Sequence, residues 1–398
     1  MREDWIEVSF SEVLDIISGK NQKNVVSSNG KYPIYGSGGE IGRASSYLCH
    51  EGTTIIGRKG TINNPIYVRE KFWNVDTAFG LSPFSALNKR YLFFFARGFN
   101  FARLDKSTTI PSLSKRDLLQ ILIPLAALPE QRAIVAKIEE LFSELDKGEE
   151  DLKKAQEQLK IYRQAVLKKA FEGNWKEISL GELGTWGSGG TPSRSNPDYF
   201  NGTIPWVKTG ELGSKYITTA EEKITEEAIK NSSAKLFPSN SVAIAMYGAT
   251  IGKTSIFKAS LSTNQACAVV QPNDSIDTEY LYYLLTSMKR KFISLGKGGA
   301  QPNISQTLIK QQVVPLPDLI SQKEIVQEIE TRLSVCDSIE DSIHESLNKS
   351  KALRQSILKK AFEGTLLPEE EIAACKAAPD YEPASVLLER IKAEKKKN

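Results

Sequence analysis

Histidine is nearly absent from this chain: its 398 residues include two, His50 and His344. Histidine-based catalytic triads and histidine metal clusters are thereby nearly excluded. Cysteine is scarce as well, and Cys49, Cys267, Cys336 and Cys375 are scattered without CxxC spacing. That usage argues for a reducing cytosol and against zinc. No run approaches eighteen apolar residues, so no membrane span is expected. Met1 to Phe10 has no apolar core, so no signal peptide is apparent. With 40% hydrophobic and 25% charged residues, the chain reads as a soluble, cytoplasmic globular protein of two or three domains.

One long stretch is present twice. Residues 124–173 and 315–364 align at a constant offset of 191 with no gap. Gln131 matches Gln322, Ile138-Glu139 matches Ile329-Glu330, and Asp146 and Glu149 match Asp337 and Glu340. Both copies end in Leu-Lys-Lys-Ala-Phe-Glu-Gly, at Gly173 and Gly364. The chain is therefore a duplication. In the first copy Ile134, Ile138, Leu141, Leu145, Gly148, Leu152, Ala155, Leu159, Tyr162 and Val166 recur four and three apart, which predicts a heptad seam on a long helix. The second copy keeps Ile325, Ile329, Ile343, Leu353 and Ile357, with Arg332 and Ser350 as interruptions. A lone helix with such a stripe must bury it, and the obvious partner is the other copy.

The stretches between the helices repeat more loosely. Trp5-Ile6-Glu7-Val8-Ser9 is answered by Trp175-Lys176-Glu177-Ile178-Ser179, and Pro111-Ser112-Leu113-Ser114 by Pro302-Asn303-Ile304-Ser305. The offset grows from 170 to 191, so the second globular part has gained about twenty residues, expected near 185–235. Tyr91 to Ala96 is apolar on every face and predicts a buried helix. The expected organisation is α+β. Domains at 1–123 and 174–314 are each followed by a helical spacer, 124–173 and 315–364. A tail, 365–398, ends in a short amphipathic helix with Val386, Leu387, Leu388 and Ile391.

Several stretches imitate enzyme motifs. Gly248-Ala249-Thr250-Ile251-Gly252-Lys253-Thr254 follows an apolar strand, but it is one residue short of a phosphate loop. Gly36 to Gly42 misses dinucleotide spacing by one. Pro197-Asp198…Glu221-Glu222-Lys223 fits the loose outline of a metal-dependent nuclease, with no equivalent in the first part. Asn196-Pro197-Asp198-Tyr199 resembles a methyltransferase loop but lacks its second proline. None of these makes a defensible catalytic site, and no cofactor or metal is expected.

Binding is the better reading. Residues 1–129 carry 16 basic and 11 acidic side chains and 174–320 carry 14 and 12, leaving 22 and 25 elsewhere. Both globular parts are positive, as expected if they meet a polyanion. Glycine-rich loops of the first hold Arg43, Arg58, Lys59, Asn63, Asn64, Lys106, Thr108 and Thr109. Those of the second hold Ser188, Thr191, Arg194, Lys208, Tyr247, Lys253, Asn264, Gln265, Lys297 and Gln301. Arg and Lys contact phosphates and guanine edges, while Asn and Gln read adenine.

Over nearly its whole length the chain resembles the DNA-specificity subunit of a type I restriction-modification system. Pro315-Leu316-Pro317…Gln322-Lys323-Glu324-Ile325-Val326 and the two Leu-Lys-Lys-Ala-Phe-Glu-Gly ends carry the resemblance, with Gly181-Glu182-Leu183…Ser188-Gly189-Gly190-Thr191-Pro192 at the start of the second domain. The first domain departs, with Ile17-Ser18-Gly19-Lys20 in place of the Ser-Gly-Gly-Thr-Pro loop. The resemblance implies two α/β target-recognition domains separated by two long antiparallel helices in a coiled coil, related by a pseudo-twofold. It also implies a non-catalytic subunit that binds double-stranded DNA and carries two methyltransferase subunits and restriction/translocase subunits. Partners are expected on exposed helix faces and on the tail helix near Val386 to Ile391. The competing readings are a coiled-coil scaffold with two ligand-binding modules, and a free-standing nuclease or methyltransferase.

Overall fold

A computed structural model describes residues 2–298 and 302–397. The chain divides into two compact units, Met1–Leu152 with Glu345–Asn398, and Lys153–His344. Among the described residues no helix is long and apolar enough to cross a membrane.

In the first unit the opening strand Ile6–Ser9 pairs antiparallel with the closing strand Leu122–Leu125. Ser9 and Glu12 then form a capping box, with the Ser9 amide donating to Glu12 Oε2 at 2.9 Å, which turns the chain into a one-turn helix, Phe10–Val13. A four-stranded sheet follows in the order Leu14–Ser18, Ala78–Pro83, Thr54–Gly57, Ile66–Tyr67, beside a smaller sheet of Gly39–Ala44, Tyr32–Gly36 and Trp73–Asn74. Helix Lys89–Gly98 starts where the Asn88 side chain accepts from the amides of Arg90 and Tyr91, and Tyr91 to Ala96 are all buried.

The second unit is built on the same plan. Strand Lys176–Ser179 pairs with Val313–Leu316, and Ser179 and Glu182 repeat the capping box. The main sheet runs Gly184–Ser188, Cys267–Pro272, Val242–Ala245, Thr254–Phe257, Tyr216–Ile217. Helix Thr278–Ser287 is capped by Asp277 and buries Tyr280 to Leu285. The added residues lie between Ser188 and Val242. They contribute to a further sheet of Lys223–Ile224, Ile204–Val207, Leu261–Thr263 and Leu236–Phe237.

The long helices are Leu128–Ala170 and Leu319–Glu363. In each unit parts of the two lie antiparallel. Within the first unit Arg354 donates to Asp146 at 2.7 Å and Glu149 at 3.2 Å, and Ser350 Oγ donates to Glu149 at 2.6 Å. Within the second unit Arg163 donates to Asp337 at 2.6 Å and Glu340 at 3.0 Å. The offset of 191 maps one set onto the other, with the helices exchanging roles. These pairs correct the seam expected from apolar spacing. Gly148, Tyr162 and Leu353 point to solvent, Glu149 and Arg163 turn inward, and Ser350 is buried. A forked guanidinium satisfies a carboxylate inside a helix interface, which lets polar residues hold heptad positions and fix register.

Each globular fold is fastened to its helix by a buried glutamine. Gln131 Nε2 donates to the carbonyls of Ala86 (3.0 Å) and Ala126 (2.8 Å), and its Oε1 accepts from the Asn88 amide at 2.7 Å. Gln322 repeats this with Ser275 (3.0 Å), Pro317 (2.8 Å) and the Asp277 amide (2.7 Å). Tyr91 and Tyr280 donate to the carbonyls of Pro124 and Pro315. The far ends of the helices return to the same tyrosines: Phe362 packs edge-on to Tyr91 at 5.0 Å and Phe171 to Tyr280 at 5.3 Å.

The tail forms two helices, Glu369–Lys376 and Ala384–Lys397. Leu367, Ile372, Leu387 and Ile391 join the first unit's core, and Lys376 pairs with Asp4 at 2.9 Å and Arg132 with Asp380 at 2.8 Å. The expected docking face at Val386 to Ile391 is therefore largely taken: Leu387 and Ile391 face inward, and Val386 remains exposed.

Replacing Gln322 with leucine keeps the bulk but strips the Asp277 amide and two carbonyls of their partner, at ~1–3 kcal/mol for each buried group left unpaired. Chemical denaturation of the full chain is expected to show a loss of about 2–4 kcal/mol after relaxation. Gln131→Leu should match it, and losses within experimental error in both would refute the fastening role.

Candidate nucleic-acid interface

In the first unit strand Thr54–Gly57 delivers Arg58 and Lys59 to a tight turn. A side chain at Gly57 would place Cβ 2.0 Å from the Thr61 carbonyl oxygen, and Gly60 has φ of +81°, so both positions need glycine. The Arg58 and Lys59 amides donate to Thr77 O at 2.8 and 3.2 Å. Gly60 N donates to Pro111 O and Leu113 N to Arg58 O, both at 2.9 Å, and Lys59 bridges to Ser112. Two loops, 58–60 and 105–113, thus lie side by side. They bring Arg58 and Lys59 beside the segment holding Lys106, Thr108 and Thr109, where Ile110 is also exposed. Asp105 shapes that segment by accepting from Ser107 and from the Ser112 amide, and the bond from Ser107 is the chief reason its carboxyl sits below the ordinary range. Lys106 is partly neutralised by Asp117 at 3.1 Å. Asn63 braces the fold through its Oδ1, which accepts from the Phe101 amide at 2.8 Å. Arg43 is on strand Gly39–Ala44, beside Glu40 at 3.5 Å.

The second unit repeats the crossing of loops. Gly248 N donates to Pro302 O at 2.8 Å, and Asn303 bridges to both Tyr247 and Lys297. Tyr247 and Lys297 therefore share one platform, as Lys59 and Ser112 do. Gln301 lies outside the described residues. Gly248–Thr250 is one 3-10 turn leading into strand Thr254–Phe257, so the phosphate-loop look-alike opens no helix, and Lys253 reaches Gly210 O at 3.4 Å.

A second group surrounds Ser188-Gly189-Gly190-Thr191. A Cβ at Gly189 would come within 2.1 Å of Thr263 Oγ1 and 2.3 Å of Asn264 O, and one at Gly190 within 2.3 Å of the Ser233 carbonyl carbon. The pair threads a gap that admits only backbone, and Trp206 Nε1 ties Gly190 O at 2.9 Å. This fixes Thr191, whose hydroxyl bonds Gln265 Oε1. Arg194 lies over the Phe200 ring at 4.2 Å and pairs with Glu222 at 2.7 Å, which also pairs with Lys208 at 2.5 Å. The Lys208 bond, followed by Arg194, holds the Glu222 carboxyl below the ordinary range. Glu222, the suspected nuclease acid, is thus a strut between two cations.

Charge separates the candidates further. Arg194, Lys208 and Lys106 have acidic partners, whereas among the described residues Lys59, Lys253 and Lys297 have none within ion-pair distance. The structure adds three that loop reading missed: Lys289, Arg290 and Lys291, exposed, consecutive, and likewise without an acidic partner among the described residues. Lys289 packs over Gly252, whose φ of +77° opens that space, and so stands next to Lys253. The run of three cations is plain in the sequence; its place beside the 247–253 loop is not.

Comparison with known proteins fits this construction. The profile of the type I restriction modification DNA specificity domain matches residues 2–154 and 172–349, and the chain belongs to that family. The specificity subunit of the type I restriction enzyme EcoDI from Escherichia coli is 24% identical over 98% of this chain and 95% of its own length. That of EcoR124I/EcoR124II, also from Escherichia coli, is 32% identical over 52% of this chain, a match spanning 51% of that protein. Among solved structures, a chain from a study of complex assembly and conformational transition of the type I R-M system superposes with a TM-score of 0.73 at 20% identity, covering 92% of this chain and 99% of that one. The HsdS subunit from Thermoanaerobacter tengcongensis gives a TM-score of 0.61 at 20% identity, covering 92% and 98%.

Gly189→Ala drives Cβ into backbone that cannot move without opening the Leu261–Thr263 strand. Unfolding experiments should register a loss of about 1–3 kcal/mol. Gly38→Ala, where a Cβ meets nothing within 4 Å, is the control and should change stability by less than ~0.5 kcal/mol.

Proposed function

We propose that this chain is the sequence-specific DNA-recognition subunit of a type I restriction-modification complex, that residues 1–123 and 174–314 are its two target-recognition domains, and that each reads one half of a bipartite, asymmetric duplex site. The observation that carries this reading is the repeated crossing of two loops, 58–60 with 105–113 and 246–252 with Lys297, Pro302 and Asn303. The first crossing presents Lys59 and the second Lys297, each with no acidic partner among the described residues, on the same scaffold but with different neighbouring side chains. Shared scaffold and divergent loops are what two readers of different sequences need, because backbone cations position while loop side chains specify. In this reading residues 124–173 and 315–364 are spacers that set the gap between half-sites. Two methyltransferase subunits dock on the exposed helix faces, restriction/translocase subunits complete the assembly, and the chain works in the cytoplasm without a cofactor or catalytic group of its own. A self-contained nuclease is disfavoured because Glu222 is engaged by Arg194 and Lys208.

Exchanging residues 1–123 for the corresponding domain of a relative should alter one half of the methylated target and leave the other unchanged. Sequencing of modified adenines in a host carrying the chimaera with its partners reads this directly. A change in both halves would overturn the modular reading.

Lys289, Arg290 and Lys291 are expected to contact phosphate rather than bases. Changing all three to alanine should weaken binding to every duplex alike and reduce the slope of log K against log salt by about 2–3, at roughly 0.9 per contact. An unchanged slope, or a changed target, would remove them from the backbone interface.

A further inference from the structure

The two units part company at one junction where the repeat predicts sameness. Positions 90 and 279 are equivalent, each two residues past the cap of the helix that carries the buried aromatic run. Positions 139 and 330 are equivalent on the long helices. In the first unit Arg90 Nε donates to Glu139 Oε1 at 2.7 Å, and its guanidinium lies over the Phe94 ring at 5.0 Å and the Tyr67 ring at 4.8 Å. In the second unit the equivalent of Arg90 is Glu279, which sets a carboxylate toward the carboxylate of Glu330. Lys215, from the segment enlarged in this unit, resolves the conflict. Its ammonium lies 2.9 Å from Glu279 Oε2, also bonds Glu330, and sits 5.0 Å from the Tyr283 ring. Tyr283 is the equivalent of Phe94. A cation thus fills the same place in both units, between a long-helix glutamate and the same aromatic position, but a different part of the chain delivers it.

We propose that Glu139 and Glu330 are a common seat for exchangeable recognition domains, and that each domain brings its own seating cation, Arg90 in the first and Lys215 in the second. These are positioning residues. They hold the helix on which strands such as Val242–Ala245 and Thr254–Phe257 pack, and those strands set the angle of the 246–253 loop. The seat needs a cation there but not a cation at a particular sequence position. A domain can therefore diverge freely in its variable segment, provided one lysine or arginine still reaches the glutamate. Burial works against a charge on Lys215, yet the bonds to Glu330 and Glu279 outweigh it and raise its pKa above the ordinary lysine value.

The positioning role rests on the reading of each unit as a DNA reader; the seat itself does not. Lys215→Met is compared with the double variant Lys215→Met/Glu279→Arg, which installs in the second unit the arrangement native to the first. Hydrogen exchange of the free full chain is expected to rise about tenfold in residues 278–287 of the single variant and to return to near wild type in the double. Unchanged exchange in the first, or no recovery in the second, overturns the seat. Assembled with its methyltransferase partner, the single variant should bind its target duplex roughly tenfold more weakly, about 1.4 kcal/mol. That penalty should vanish when the half-site read by the second unit is scrambled, and the double variant should remove it. A penalty that persists on the scrambled duplex marks general destabilisation and overturns the positioning role. Absence of sequence-specific binding by the unsubstituted assembly would sink the DNA reading instead, leaving the seat to stand or fall on exchange alone.

Discussion

Gln131 and Gln322 sit where a globular fold ends and a long helix begins, and each spends its whole side chain on backbone atoms. That choice of partner has a consequence. Backbone carbonyls are present whatever the sequence of the domain, and amides at every residue except proline, so the joint survives most changes that would break a side-chain contact. It is also strict, because a buried amide satisfied on both its oxygen and its nitrogen leaves little angular freedom. A joint that is rigid in geometry and indifferent to sequence is what a changeable recognition surface needs beneath it.

The same division runs through the charges. Arg194 and Lys208 share Glu222, and Lys106 leans on Asp117, so much of their charge is already answered inside the protein. Held this way, they can shape a surface and orient a loop. Lys59, Lys253, Lys297 and the run 289–291 raise the local potential with no acidic partner among the described residues. Clustered unanswered cations are unfavourable in the free protein and are relieved by a polyanion. Under the proposed function the first group would set the form of the surface and the second its attraction for a polyanion, and counting basic residues cannot separate them.

The fold was largely legible because duplication is visible as identity, and the two long helices announced themselves by length and spacing. Apolar spacing places the seam one residue off at Gly148 and Tyr162, since it has no means of putting Glu149 and Arg163 inside an interface. Only the partner helix, with Asp146 and Glu149 opposite Arg354 and Asp337 and Glu340 opposite Arg163, makes those positions habitable. Loop residues were legible as types and not as roles. Nothing local to Asn63 says that it braces the Phe101 amide, and nothing near Glu222 says that two cations from distant segments converge on it. Lys289 to Lys291 are the opposite case: they stand on a helix, outside the glycine-rich loops, and nothing in the local sequence sets them beside the 247–253 loop.

The enlarged segment of the second unit shows how such a chain diverges without unfolding. In both units one strand, Ala78–Pro83 or Cys267–Pro272, pairs with the strand before the variable segment and with the strand after it. The ends of that segment are therefore pinned to a common neighbour, and its length can change with no shift of register in the sheet. Lengthening a loop costs only about 0.6 kcal/mol per doubling, so the entropic resistance is small. What the longer segment must still do is bury its own apolar side chains, and it does so by adding strands around Trp206, Ile224, Ala228 and Ala234. It then takes over a duty that the shorter version leaves to Arg90, because Lys215 lies within it. The extra residues are thus tied to the helix at one end of the fold and free to vary at the other.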